Sequence, residues 1–218
     1  MQFFTADFWA IVRLSLHVSG TAVLLSSLIG VPLGVWLGMS VFRGRRALAA
    51  IIHTGMALPP VVVGLLLYLL FSRSGPLATL GWLFTPEAMI TAQWILSLPF
   101  VIGITMSSVA AVPPELGSQL KSLGASDWQS RWTILREARH GVALAVAAAL
   151  GRSISEVGAV LIVGGNIDGH TRVLTTAIVL ETSKGHFDLA LTLGAALLSI
   201  ALLVNVCIVR LQGRRQPA

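Results

Sequence analysis

An all-α integral membrane protein, with about five transmembrane helices and a cytoplasmic helix–Gly–helix loop, is the fold class this sequence predicts. Three observations carry it. The 218 residues are 55% hydrophobic and only 11% charged, whereas a soluble domain carries about a quarter charged residues to cover its surface. Mean hydropathy is +0.84, and the apolar residues gather into runs of roughly 20, the length that crosses a bilayer. Residues 113–140 form a polar island between two such runs. The whole chain, 1–218, reads as one transmembrane domain.

The net charge of +6 reports topology rather than a polyanion partner. Ten of the fifteen basic residues fall in three clusters: Arg43, Arg45 and Arg46; Lys121, Arg131, Arg136 and Arg139; Arg210, Arg214 and Arg215. Each cluster lies between or after apolar runs, the positive-inside pattern. Five spans with these clusters in the cytoplasm put the N-terminus outside and the C-terminus inside. A nucleic-acid partner is not expected, because no basic soluble face with aromatic neighbours is present. Cys207 is the single cysteine and the five histidines are dispersed, so neither a disulfide nor a metal cluster is expected, and no cofactor is called for. No removable signal peptide is read at the N-terminus.

The first span covers about residues 18–39, after an amphipathic start at 8–17 that holds Arg13 and His17. Gly30, Gly34 and Gly38 recur every fourth residue on one helical face, the spacing that lets helices approach closely in lipid. Packing within the chain is the favoured reading over a dedicated dimer motif. The second apolar run, 47–71, is interrupted by Pro59-Pro60. A helical piece, a break and a helix from about 60 to 70 are expected, since proline removes a donor and restricts its predecessor. Such a break is tolerated at membrane depth where protein or a cavity covers the freed groups. Ser74-Gly75-Pro76 marks a turn, and Thr85-Pro86 reads as N-cap and first helical residue. The third span is about 88–112 with a kink at Pro99, the fourth 142–163 and the fifth 189–209. Between the last two, residues 173–180 form a short helix or dip into the protein.

In the polar island, Pro113-Pro114-Glu115 starts a helix over 115–123, and Gly124 ends it by adopting the left-handed conformation. Ser126 and Gln129 fit a capping box for a second helix, 127 to about 139. That helix carries Trp128, Trp132, Ile134 and Leu135 beside three arginines. Physics alone slightly favours a knob lying on lipid headgroups over one inserted in a partner's groove.

At these residues the chain resembles the permeases of bacterial ABC importers, whose loop E-A-A-x-x-x-G-x9-I-x-L-P docks on the ATPase subunit. Gly124 matches the glycine, and Ile134 follows ten residues later. Ser118, Gln119 and Leu120 stand where E-A-A belongs, and Arg136 and Glu137 replace the final L and P. Gly151 to Ala159, Gly164-Gly165-Asn166 and Thr171 to Ile178 resemble the oxyanion branch of that family, closest to tungstate permeases, with molybdate and sulfate permeases related. The likeness extends over essentially the whole chain, including Leu58 to Gly64. It implies a homodimer in the bacterial plasma membrane, two cytoplasmic ABC ATPase subunits and an extracytoplasmic solute-binding protein. It also implies ATPase coupling through Glu115, Leu123, Gly124, Ala125, Ser126 and Ile134.

In the fourth span, Arg152 and Glu156 are four apart, hence on one helical face. Ionisable groups inside a bilayer face a partner or a wet cavity. Two readings stay open: they shape the cytoplasmic part of a permeation path, or they lock the bundle as an ion pair. Ser153 and Ser155 either line that path or bond their own helix backbone. Asn166, Thr175 and Thr176, at the outer end of the span and in the following loop, are candidates for an outer gate or for binding-protein contact, with turn formation the favoured role of Asn166. The chain lacks G-x-x-x-x-G-K-[ST], so it cannot bind ATP through a P-loop; if transport is active, a separate ATPase subunit supplies the energy, and the chain itself is not expected to be an enzyme. An intramembrane enzyme or a membrane scaffold is the alternative of another class. The former has only Glu156 and His140, without an orienting third group, and the latter leaves Arg152 and Glu156 without a role.

Overall fold

The structure, a computed structural model, describes residues 6–212. Arg214 and Arg215 of the third basic cluster lie outside the described residues, as does the side chain of Cys207. The described residues form α-helices joined by turns, with one short 3-10 turn at Ala78–Leu80 and no strand. Helix α1 runs without interruption over Ala6–Met39, so the amphipathic start and the first span are one rod. At 1.5 Å per residue it is roughly 50 Å long, well beyond the roughly 30 Å hydrocarbon core.

The second apolar run divides into α2, Arg45–Met56, and α3, Pro60–Phe71, which meet at 91° around Pro59. Pro60 sits at the start of α3, where a missing N–H costs nothing. Helix α4, Pro86–Ala110, follows and continues through Pro99. Thr85 precedes it in extended conformation but does not cap it; its Oγ1 donates instead to Trp82 O at 2.7 Å. Helices α5, Pro114–Ser122, and α6, Asp127–Glu137, build the polar island.

The fourth span is not one helix. Helix α7 covers Arg139–Ile154, α8 covers Gly158–Gly164, and the two are bent by 56° across Ser155-Glu156-Val157. Glu156 thus lies in the break, off the helical face that carries Arg152. Helix α9, Leu174–Ser183, is the short element between the last two spans, and α10, Phe187–Gln212, is the fifth.

Helix α4 is the hub, packed against α1, α2, α3, α7 and α8. The glycine stripe of α1 explains its contact with α4. A Cβ on Gly34 would stand 2.7 Å from Thr105 Cβ and 2.8 Å from Ile102 O, and one on Gly38 would stand 2.7 Å from Val109 Cβ. The stripe therefore seats α1 on α4 within the chain. Beyond it, Val63, Leu67, Met89, Leu96, Val160 and Val163 close a core between α3, α4 and α8. Leu24, Leu28, Trp36, Leu65, Leu66, Leu191 and Leu198 stay exposed on the outer faces, as apolar side chains do when the solvent is lipid.

Candidate translocation path and coupling loop

The break in the fourth span is held by polar side chains from three helices. Ser97 on α4 donates its hydroxyl to Gln93 O at 2.6 Å. A hydroxyl has one proton, so Ser153, whose Oγ is 2.7 Å from Ser97 Oγ, is the donor in that pair. Gln93 Nε2 donates to Ser153 O at 2.9 Å, a carbonyl at the end of α7 that also accepts from Glu156 N–H at 3.2 Å. Gln93, Ser97 and Ser153 are all buried. Ser155 Oγ donates to Gly151 O at 2.8 Å, bonding its own helix.

Glu156 is 6% exposed. Its Oε1 accepts from Ala159 N–H at 3.3 Å, serving the first turn of α8. Thr175 Oγ1, at the start of α9, donates to Glu156 O at 2.9 Å. Ser153 O, Glu156 O and the Ala159 N–H at the break thus each have a side-chain partner, the kind of cover that irregular backbone needs at membrane depth. Arg152 forms no ion pair with Glu156 among the described residues. Its guanidinium carbon lies 5.3 Å from the centroid of Phe100 on α4, within cation–π range. Its Nε is buried and has no hydrogen-bond partner among the described residues. A partly buried cation beside an aromatic face, with a donor to spare, can attract an anion without trapping it.

At the other end of α8 the chain turns through Gly165 and Asn166, both at positive φ, 70° and 52°. Asn166 Nδ2 reaches Thr176 O at 3.4 Å, so the turn is tied to α9. Thr176 Oγ1 accepts from Val173 N–H at 3.1 Å and caps α9. Thr175 and Thr176 are both buried. Ser15 on α1 accepts from Leu174 N–H at 2.8 Å, so α9 is pinned to both α1 and the break. Nearby, Arg13, His17, His170 and Arg172 with Asp7 and Asp168 line a cavity of about 330 Å³, in which Arg172 pairs with Asp168 at 2.8 Å.

Gln93 and Ser97 do not figure in the sequence-based site, although two polar residues one turn apart inside an apolar run are a usable signal.

In the polar island, α5 ends through Gly124 at φ +82°. Ala125 N–H donates to Leu120 O and Gly124 N–H to Lys121 O, both at 3.0 Å, a Schellman closure that requires the left-handed residue. Ser126 and Gln129 form the expected capping box, Ser126 N–H to Gln129 Oε1 at 2.8 Å and Gln129 N–H to Ser126 Oγ at 3.3 Å. Lys121 bridges the two helices to Asp127 at 3.1 Å, and its hydrogen bond holds the Asp127 carboxyl below the usual aspartate value. Half-buried Ile134 turns toward Gly117 of α5. At the tip, Leu123 is 85% exposed and nothing lies within 4 Å of the space above Gly124. Glu115 is exposed in the first turn of α5, and Ala125 is half-buried.

A helical membrane bundle with a split central span and a rigid, projecting helix–glycine–helix knob is the architecture of importer permeases. The fold matches a chain of a crystal structure of a bacterial alginate ABC transporter, with a TM-score of 0.78 over 97% of this chain and 80% of that one, at 21% identity. Residues 30–218 match the family model described as binding-protein-dependent transport system inner membrane component, and the chain belongs to that family. It is 40% identical over 209 residues to the tungstate uptake system permease protein of Peptoclostridium acidaminophilum, covering 96% of this chain and 92% of that one. It is 45% identical over 210 residues to a probable anion ABC transporter permease protein of Haloferax volcanii, covering 94% and 90%.

Proposed function

We propose that this chain is the translocation subunit of an ATP-driven importer for a tetrahedral oxyanion, and that its cargo is tungstate. The similarity to a tungstate uptake permease supports the cargo. Molybdate and sulfate share the same shape and charge and are the alternative cargoes. In this reading the chain is a single permease domain that works as a homodimer in the plasma membrane, N-terminus outside. Two cytoplasmic ATPase subunits dock on residues 113–140, and an extracytoplasmic binding protein delivers the anion. Arg152, Ser153, Ser155 and Glu156 shape the inner part of the path around the split helix. Asn166, Thr175 and Thr176 hold its outer gate through α9.

The observation that carries the proposal is the knob itself. Leu123 projects exposed, with open space above Gly124, from two helices locked by a Schellman turn, a capping box and an ion pair. Such a tip transmits a push without bending. ATP-driven closure of the ATPases then moves the knob, and the knob moves α7 and the break beyond it.

Replacing Gly124 with valine adds bulk at the tip and forces a branched residue into the left-handed region, at a cost of about 1–2 kcal/mol. The intact complex should still hydrolyse ATP in the G124V variant but should lose tungstate uptake, measured by metal analysis of reconstituted vesicles. Undiminished uptake would refute docking at the tip. Competition by molybdate and sulfate in the same vesicles ranks the cargoes.

A further inference from the structure

Helix α6 presents two kinds of surface. Ile134 faces α5, whereas Trp128, Arg131, Trp132 and Leu135 recur at the spacing of one helical stripe and face the end of α1. Between them and Pro32, Val35, Trp36, Met39 and Ser40 lies a groove of about 310 Å³. We propose that this groove binds an anionic phospholipid of the cytoplasmic leaflet; its assignment to that leaflet rests on the orientation proposed above.

Three features of the groove select this occupant. The first is continuity with the membrane, because its floor is the last turns of a spanning helix whose outer face is apolar and exposed up to the groove, through Leu28, Leu33 and Trp36. An acyl chain running along that face arrives at Val35 and Met39 without leaving hydrocarbon.

The second is aromatic composition. Trp36, Trp128 and Trp132 are 52%, 75% and 52% exposed. Exposed indoles gathered at the end of a membrane span mark the headgroup level, where the ring is buried in the interface and its N–H meets water. Phe42 folds back and stacks on Trp36 at 5.4 Å between centroids, extending the wall past the helix end.

The third is charge. Arg131 is exposed on the groove wall and forms no ion pair among the described residues, while Asp127, one turn back, is already bridged to Lys121. The Ser40 hydroxyl makes no hydrogen bond among the described residues, and Arg45 ends the same helix with its Nε on Leu37 O at 3.0 Å. A guanidinium, a free hydroxyl and a neighbouring basic loop suit a phosphodiester. A lipid seated there would clamp α6 to α1, so the membrane's anionic lipid content would set the stiffness of the knob at Leu123 and Gly124.

The test uses the full chain with its ATPase subunits in nanodiscs of phosphatidylcholine containing phosphatidylglycerol. Native mass spectrometry reads the lipids retained on release, and lipids brominated near the glycerol quench indoles in contact with them. The wild type should retain phosphatidylglycerol in preference to phosphatidylcholine. One arginine near the headgroups contributes about 1 kcal/mol, so R131Q should lower phosphatidylglycerol retention about fivefold, while R131K and the off-groove R136Q keep it. A W128F/W132F variant should lose part of the brominated-lipid-sensitive fluorescence, Trp36 of the groove contributing to the rest. Equal retention by R131Q, or an equal loss in R136Q, would overturn the proposal. So would indoles that brominated lipid cannot reach once the ATPase is bound, since a protein would then cover the groove.

Discussion

At the scale of single residues, the bundle is set by what cannot be added. Gly34 sits where a side chain would meet Thr105 Cβ and the carbonyl of Ile102, one side chain and one backbone atom. The backbone oxygen cannot move aside without shifting α4, so G34V should destabilise the protein by about 1–3 kcal/mol, the range for overpacking a filled core. Gly20 lies on the same helix with nothing within 4 Å. There alanine should raise stability by about 0.5–1 kcal/mol through backbone entropy alone. Thermal unfolding of the two variants in one detergent checks both signs, and a neutral G34V would mean that α1 is not seated on α4 as described. The sequence displays this stripe openly, because a four-residue spacing of small residues survives any context. It does not display the partner of Arg152. Spacing suggests Glu156, but the carboxylate serves the start of α8 and the cation instead faces Phe100, a choice made by the helix break and by α4.

At the scale of elements, what was legible followed from chemistry local to each segment. Pro59-Pro60 divides the second run where a missing donor and a restricted predecessor demand it. Gly124, Ser126 and Gln129 form their turn and box with residues no more than a few positions away. The break at 155–157 carries no such mark, since neither proline nor a turn dipeptide stands there. It is imposed from outside, by Gln93 on α4 and Thr175 on α9, so an apolar run read by itself looks continuous. The uninterrupted α1 is the converse case, with Pro32 and the amphipathic start absorbed into a single helix. The tie from Thr175 gives a prediction at this scale. T175V keeps the shape and removes the donor to Glu156 O. Interhelical hydrogen bonds in membranes contribute about 0.6 kcal/mol on average, so global unfolding should shift little. Amide exchange across 156–159 should nevertheless quicken, because the break loses its restraint from α9. Unchanged exchange in that segment would show that α9 does not hold it.

At the scale of the whole molecule, the single chain leaves one part of its own logic unfinished. Helix α3 has 12 residues, roughly 18 Å at 1.5 Å per residue, and cannot cross the bilayer without α2, from which it turns at 91°. Around that turn Ala57 and Pro59 are exposed, and α3 exposes Val61, Val62, Leu65, Leu66 and Leu69. Lipid is a good solvent for those side chains but a poor one for the backbone groups of a broken helix, which need cover from protein or a wet cavity. In the proposed homodimer, a second copy seated on α3 would supply the cover and would place two split spans, with two Arg152 side chains, on either side of one path. The homodimer is therefore expected to use this face. Tagged and untagged copies expressed together should co-purify in mild detergent. In a Cys207→Ser background, V62C should yield a covalent species of twice the 23.1 kDa chain mass with a short bismaleimide. If the untagged copy is not retained, the homodimer reading fails. If it is retained but V62C does not cross-link, the two copies meet elsewhere and α3 must face the path through water instead.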